Sequence, residues 1–304
     1  MPNLCKRSLA IREKVLGPDH LDVAVSLSNL AGLYQSQGRY SDAEPQFKRA
    51  LAINERELGP NHPVVALSLN NLAALYQVQG RYADAERLLQ RSLAVRENAL
   101  GPNHSDVAQT LSNLAELYRA QGRYSDAEPL YKRALAINEK GLGPDHPVVA
   151  LYLSNLAALY NDQGRYVDAE PLLQRSLAVR EKALGLDHPD VALTLTNLGF
   201  LYSKQGRYSD AEPLYKRSLA IRDKALGPDH PVVALSLSNL AALYNDQGRF
   251  VDAEPLLQRS LAIYEKELGP DHPDVALSLT DLAFLYSKQV AIPMQNRYTN
   301  ARLI

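Results

Sequence analysis

Two polar side chains that can bind ligands recur along this chain at an interval of 42 residues. A histidine stands in each copy of a Leu-Gly-Pro-Asp-His-Pro motif or a close variant, and nine residues later follows an asparagine or, in the last copy, an aspartate. Histidine can hold metals or carry protons, whereas an asparagine amide can both donate and accept hydrogen bonds. The histidines are His20, His62, His104, His146, His188, His230 and His272, and the second series is Asn29, Asn71, Asn113, Asn155, Asn197, Asn239 and Asp281.

The spacing of the histidines argues against a metal centre. Equivalent atoms in stacked helix layers lie on the order of 10 Å apart, whereas zinc needs several ligands at about 2 Å. Each histidine is therefore expected to cap or pack at the start of a helix. The sequence contains no phosphate-binding loop, HExxH pair or dinucleotide fingerprint, so we expect neither a cofactor nor enzymatic activity.

The segments between the histidines have the pattern of paired helices. In residues 64–79, apolar side chains such as Val65 and Leu69 recur at steps of three and four, which predicts one buried helical stripe. Gly80 can close that helix in a left-handed conformation, and residues 83–100 form a second helical pattern. The repeat therefore predicts a stack of helical hairpins, an architecture that usually recognises other chains.

The start of the second helix carries a further local signal in alternate repeats. Ser41 is followed three residues later by Glu44, and the same pattern returns at later copies. This spacing predicts a capping box, in which the serine and the glutamate satisfy each other's exposed backbone amides.

Composition excludes several classes of function. Lysine and arginine total 33 against 34 acidic residues, a net charge of −1, so nucleic acid is not an expected partner. The single cysteine, Cys5, cannot form an internal disulfide, and the amino-terminal residues have no signal-peptide pattern, which indicates a cytoplasmic protein. No apolar run approaches the roughly 18 residues of a membrane span, so no membrane association is expected.

The repeated string NLAxLYxxQGRYxDAEPLYKRxLAI followed by LGPDHP resembles the tetratricopeptide repeat in its 42-residue form, that of kinesin light chains and related prokaryotic proteins. The resemblance covers about residues 4–289, with leucines such as Leu27 and Leu69 in place of the usual tryptophan. It implies an all-α, right-handed superhelical solenoid that serves as a non-enzymatic protein-binding scaffold.

The repeat register divides the single array of residues 1–304 into whole and partial units. Residues 4–16 match only a second helix, and residues 274–304 match a partial repeat with an irregular tail, in which VAIPMQ is interpreted as a six-residue insertion in the turn. The complete repeats are predicted at 22–58, 64–100, 106–142, 148–184, 190–226 and 232–268.

The resemblance also implies where a ligand would bind. In this family the asparagine position lines a concave groove, so the amides would form a ladder that holds the backbone of an extended peptide. The central members are Asn71, Asn113, Asn155, Asn197 and Asn239. The alternative is that each asparagine bonds a neighbouring helix of the same chain.

Specificity is expected where otherwise similar repeats differ. The variable positions follow the asparagine by three, six or seven residues, and drift on a solvated face is the alternative explanation of their variation. The candidates are Glu116, Arg119, Asp162, Phe200, Lys204 and Asp246.

Two other functions compete with peptide binding. The partial repeats at the two ends are complementary, which indicates head-to-tail self-association into a ring or filament. The array could also be a sensor segment of a larger signalling ATPase or protease, because related prokaryotic arrays are attached to such modules.

Overall fold

The computed structural model describes residues 2–300, with side chains from residue 4 to residue 289. Within that range the chain forms helices joined by short turns, and no strand is present. The helices are α1 Pro2–Leu16, α2 Leu21–Ser36, α3 Tyr40–Leu58, α4 Pro63–Val78, α5 Tyr82–Leu100, α6 Ser105–Ala120, α7 Tyr124–Leu142, α8 Pro147–Asp162, α9 Tyr166–Leu184, α10 Pro189–Lys204, α11 Tyr208–Leu226, α12 Pro231–Asp246, α13 Phe250–Leu268 and α14 Pro273–Asn300.

The helices belong to two compact units, residues 1–159 and residues 160–304. In the first unit, α2 pairs with α3, α4 with α5 and α6 with α7, while α1 packs against α2. In the second unit, α10 pairs with α11 and α12 with α13, and α14 packs against α13. The predicted fold class, an all-α solenoid of stacked helix-turn-helix repeats, is confirmed.

Each hairpin is held by apolar side chains from the predicted helical stripes. Between α2 and α3, Val23, Leu27 and Ile53 are at most 2% exposed. Alanines of the second helices are fully buried where the helices approach closely, and a larger side chain there would force them apart. These alanines are Ala43, Ala85, Ala127, Ala169, Ala211 and Ala253.

The recurring histidines cap the first helices, as predicted. His62 precedes α4 in an extended conformation, and its Nδ1 accepts a hydrogen bond from the backbone amide of Val64 at 3.2 Å. This bond satisfies one of the amides that have no partner at a helix start. The same bond forms at all seven histidines.

The predicted capping box is wrong, because α3 begins at Tyr40 and Ser41 lies inside its first turn. Glu44 instead serves the next hairpin, where it accepts hydrogen bonds from the Tyr76 hydroxyl at 3.0 Å and from Arg81 at 3.0 Å. The Arg81 guanidinium also stacks 3.8 Å from the centre of the Tyr76 ring. The recurring glutamate therefore serves contacts between repeats, and Glu86 makes the same contacts in a repeat that has Ala83 in place of the serine.

The last helix differs from the prediction. The sequence predicts a turn with a six-residue insertion after residue 289, but α14 continues to Asn300. Earlier first helices are followed within two residues by a glycine, such as Gly80 after α4, which adopts a φ of 73°. Val290 occupies the corresponding place in the last repeat, and a valine does not adopt this conformation readily. Residues 301–304, the end of the predicted irregular tail, lie outside the described residues. Of the helices described, none combines the length and apolar character needed to cross a membrane.

Candidate functional site

The first helix of each repeat has four positions that lie together on one exposed or partly exposed surface. In α4 these are Leu67, Asn71, Ala74 and Val78, at relative positions −4, 0, +3 and +7. Residues at this spacing neighbour each other on a helix surface. We call the surface formed by these four positions the first-helix face, and it recurs separately in each of the two units.

In the first unit, this face contains a groove of about 350 Å³ between α2 and α4. Val25, Val64 and Leu67 supply apolar lining, and all three side chains are between 39% and 54% exposed. Asn29 and Asn71 line the same groove. The groove therefore combines apolar surface with amide groups that can both donate and accept hydrogen bonds.

Sequence reasoning missed the apolar members of this face. A large aliphatic side chain stands four residues before the asparagine position, which is Asp281 in α14, in six of the seven first helices, and Gln109 takes that place in α6. These side chains are 46% to 61% exposed. The sequence contained a signal for these side chains, because they lie outside the periodic stripe of apolar residues that is buried. They are Val25, Leu67 and Leu151 in the first unit and Leu193, Leu235 and Leu277 in the second.

The predicted asparagine series lies on the first-helix face but does not behave uniformly. Asn113 is exposed, and Asn71, Asn197 and Asn239 are partly exposed. The Asn155 amide donates a hydrogen bond to the Ser112 hydroxyl at 3.2 Å, so at this position the alternative of bonding a neighbouring helix applies.

Asp281 departs from the series in charge as well as in residue type. Its side chain is partly buried, and burial raises the pKa of its carboxyl group. A carboxylate accepts hydrogen bonds but donates none, so Asp281 cannot reproduce the paired donor and acceptor of an asparagine.

Glu116 and Arg119, both predicted as specificity residues, form one cluster in the first unit. Two nitrogens of Arg119 donate to the Glu116 carboxylate at 2.7 Å and 2.9 Å, and the buried Tyr131 hydroxyl donates to it at 2.6 Å. Burial opposes ionisation of Glu116, but these hydrogen bonds outweigh it and lower its pKa. Burial and the contact with Glu116 raise the pKa of Tyr131.

In the second unit, Phe200 and Lys204 lie together on α10. The Phe200 ring is 46% exposed, and the Lys204 ammonium lies 5.2 Å from its centre, within range of a cation–π interaction. Asp246 is exposed at the end of α12, and its charge adds to burial in raising the pKa of Tyr215. Asp162 is exposed at the end of α8 and takes part in polar interactions.

The described residues show no group of histidine, cysteine and acidic side chains that could hold a metal ion. Each histidine Nδ1 is used in capping, and Cys5 is partly buried in α1. The chemistry available on the first-helix face is therefore hydrogen bonding, apolar contact and a few charged pairs.

The sequence was compared with models of known protein families. The tetratricopeptide repeat family model matches residues 3–56, 28–77, 64–140, 108–181, 148–224, 190–266 and 232–302. No curated protein sequence matches the chain.

Solved structures give the same picture. A kinesin light chain-type protein of Podospora anserina with nearly identical TPR-like repeats is 30% identical, with a TM-score of 0.59, and the match covers 67% of this chain and 97% of that chain. BtubC (BKLC) of P. vanneervenii is 26% identical, with a TM-score of 0.64 and coverage of 78% and 93%. Aspartyl phosphate phosphatase F of Bacillus subtilis shares the fold at 16% identity, with a TM-score of 0.63 and coverage of 91% and 74%.

Proposed function

We propose that this chain, which belongs to the tetratricopeptide repeat family and has repeats of the kinesin light chain type, binds an extended segment of a partner protein along its first-helix face. Tetratricopeptide repeats form a family of non-enzymatic protein-interaction scaffolds. The observation that carries the proposal is the groove between α2 and α4, in which exposed aliphatic side chains and asparagine amides stand side by side.

The two kinds of side chain would perform different tasks. Apolar side chains such as Leu67 would be covered by the ligand, which contributes free energy in proportion to the apolar area removed from water. The Asn29 and Asn71 amides would pair with the peptide backbone, whose polar groups need partners once they are covered. The groove then favours an extended ligand, because the backbone N–H and C=O groups of an extended peptide are not already hydrogen-bonded within a helix.

The proposal is tested by selecting random linear peptides on the full chain and measuring their affinity for variants. We expect Leu67→Glu and Asn71→Ala to weaken binding of peptides held in the first unit by about tenfold or more, since each removes a contact from the groove. Val251→Glu is the matched control, because Val251 is an exposed valine of α13, outside the first-helix face. Peptides that bind Leu67→Glu and Asn71→Ala as they bind the unchanged chain would contradict the proposal.

Head-to-tail self-association is a second candidate, supported by two uncovered helix faces. Ile11 of α1 is 54% exposed, whereas Ile53, at the same repeat position, is 2% exposed. Leu279 of α14 is 49% exposed, whereas its counterpart Leu237 is 1% exposed. Among the described residues, no first helix lies beside this face of α1 and no second helix lies beside this face of α14, so a second copy could cover both.

Self-association predicts a molecular mass that increases with concentration in sedimentation equilibrium. Ile11→Glu and Leu279→Glu should each shift the distribution towards the monomer, because either charge would be buried in the contact. Val251→Glu again serves as the control. A mass that stays at one chain across the concentration series would exclude this candidate.

A further inference from the structure

The second helices α3 and α5 of the first unit border a groove of about 410 Å³. Three leucines form its apolar lining, and two of them, Leu51 and Leu88, are partly exposed. The third, Leu72, is 3% exposed and comes from α4. Because Leu72 directly follows Asn71, it projects from α4 about 100° around the helix axis from that residue. The groove therefore lies on a different surface from the first-helix face.

The same groove is lined by four cationic side chains, namely Lys48 of α3, Arg81 of the turn before α5, and Arg87 and Arg91 of α5. Arg87 and Arg91 are four residues apart, so they project from the same side of α5. Arg87 is specific to this repeat, because the other second helices from α3 to α13 carry proline at the equivalent position. Those prolines are Pro45, Pro129, Pro171, Pro213 and Pro255. The substitution therefore adds a positive charge to this groove alone.

A chain of alternating charges crosses the groove from α3 to α5. Lys48 Nζ lies 2.7 Å from the Glu44 carboxylate, which also accepts a hydrogen bond from Arg81 at 3.0 Å. Asp84 accepts from Arg81 at 2.9 Å and from Arg87. These contacts, led by Lys48 at Glu44 and by Arg81 at Asp84, lower the pKa of both carboxyl groups. Two carboxylates are thus shared among three cations.

Arg87 keeps most of its capacity to bind an anion. Its side chain is 77% exposed, and within the described part of the chain one of its nitrogens bonds one oxygen of Asp84. A guanidinium has five N–H donors in a planar fork that matches a carboxylate. Arg91 pairs with Glu55 at 2.6 Å, so the groove has four cations against three carboxylates. A net positive charge therefore remains.

The charge balance differs at the equivalent surfaces of later repeats. Two cations meet three carboxylates between α5 and α7 and again between α9 and α11, while three meet three between α11 and α13. Towards the amino-terminal end the excess of one cation continues on α1 and α3. The residues there are Lys6, Arg39 and Arg49, with Glu13 and Asp42. Positive charge is therefore concentrated along α1, α3 and α5.

We infer that this groove binds an acidic segment of a partner protein, in which an aspartate or glutamate stands next to an apolar residue. The carboxylate pairs with Arg87, because hydrogen bonds between two charged groups are stronger than neutral ones. The apolar neighbour covers Leu51 and Leu88 and removes them from water. A phosphate group would leave both leucines uncovered, and its second negative charge would be repelled by Asp84. The inference goes beyond the proposed function, since it concerns a second surface and a different ligand chemistry.

The test uses random linear peptides that are selected on the full chain and labelled for fluorescence anisotropy. Among the retained peptides we expect a class in which acidic and apolar residues are adjacent. Arg87→Gln should weaken binding of this class by about threefold, the effect of one exposed ion pair. Arg87→Glu should weaken it by about tenfold or more, because the charge that meets the peptide is reversed. Circular dichroism checks that both variants keep their helices.

Two controls locate the binding surface. Lys140→Glu reverses a charge of the same sign on α7, where Lys140 is exposed outside the groove, and it should change affinity by less than about twofold. Leu67→Glu alters the groove of the proposed function and should also leave this class of peptides unaffected. Raising the NaCl concentration from about 50 mM to about 300 mM should weaken binding, because exposed charges are screened.

The outcomes separate this inference from the proposed function. If Arg87→Glu and Lys140→Glu weaken binding equally, general attraction to the chain explains it and the inference is wrong. Displacement by inorganic phosphate, with no loss of affinity when the apolar residue of the peptide is replaced by glycine, would show a simple anion site and overturn the inference as well. If every retained peptide depends on Leu67 and none on Arg87, the proposed function stands and the inference fails. If no peptide is retained, both fail.

Discussion

Replacing the buried Arg96 by methionine should leave the stability of the first unit nearly unchanged, whereas alanine should lower it. Arg96 is 3% exposed and donates hydrogen bonds to the Asp106 carbonyl and the Thr110 hydroxyl, both at 2.7 Å. Its Nε has no partner among the described residues, and the charge of Asp106 offsets the burial of the guanidinium only in part. Burial accordingly lowers the pKa of this guanidinium.

The opposing contributions are of similar size. Two hydrogen bonds from a charged donor contribute about 1.5–3 kcal/mol each, while burying a guanidinium whose charge is only partly offset costs several kcal/mol. Without Arg96, Thr110 still donates to the Asp106 carbonyl at 3.2 Å, so neither group is left unpaired. Methionine preserves packing, so we expect a change within about 1 kcal/mol. The alanine side chain is about three heavy atoms smaller than that of methionine and opens a cavity, which should cost about 2–4 kcal/mol.

The measurement is urea unfolding followed by far-ultraviolet circular dichroism, with hydrogen exchange of α5 and α6 as the local readout. Exchange is needed because long repeat arrays lose two-state cooperativity. Arg87→Met is the control, since that side chain of α5 is 77% exposed and should change stability by less than about 0.5 kcal/mol. Equal destabilisation by Arg96→Met and Arg96→Ala would show that the hydrogen bonds outweigh desolvation, and the reasoning would be refuted.

Three further predictions concern the second unit. Gly199→Ala should raise the melting temperature, because alanine is favoured over glycine in a helix by about 0.5–1 kcal/mol. The new Cβ would lie 3.2 Å from the Tyr215 ring, which must shift only slightly. A lower melting temperature would show that the ring cannot move. The Lys216 and Arg249 contacts lower the pKa of Glu212 to about 2. The ionised carboxylate therefore stabilises the folded chain above pH 4.5, and this stabilisation is lost as the pH falls towards 2. Glu212→Gln should lose less stability than the unchanged chain in an acid titration over that range. His188→Ala should cost about 1 kcal/mol in denaturant unfolding through loss of the helix cap, and an unchanged midpoint would argue against capping.

Much of the fold follows from local sequence signals. The apolar periodicity, the glycine turns and the histidine before each first helix act over a few residues, and the repeat presents them again every 42 residues. Helix formation and termination depend on neighbours within one or two turns. The type and order of the helices, the seven histidine caps and the stacked-hairpin architecture could therefore be predicted from sequence.

The candidate site depended on contacts between repeats, which local patterns do not reveal. Glu44 has the spacing of a capping residue, yet it bonds Arg81, which lies 37 residues further along the chain. Asn70 and Asn71 are the same residue type and adjacent in sequence, but only Asn70 is buried with an unpaired oxygen. Whether an asparagine faces a ligand or a neighbouring helix is set by side chains one repeat away. The sequence by itself determined the hairpins, and only their packing decided which polar groups remained available, because hydrogen-bond partners and burial arise where distant segments meet.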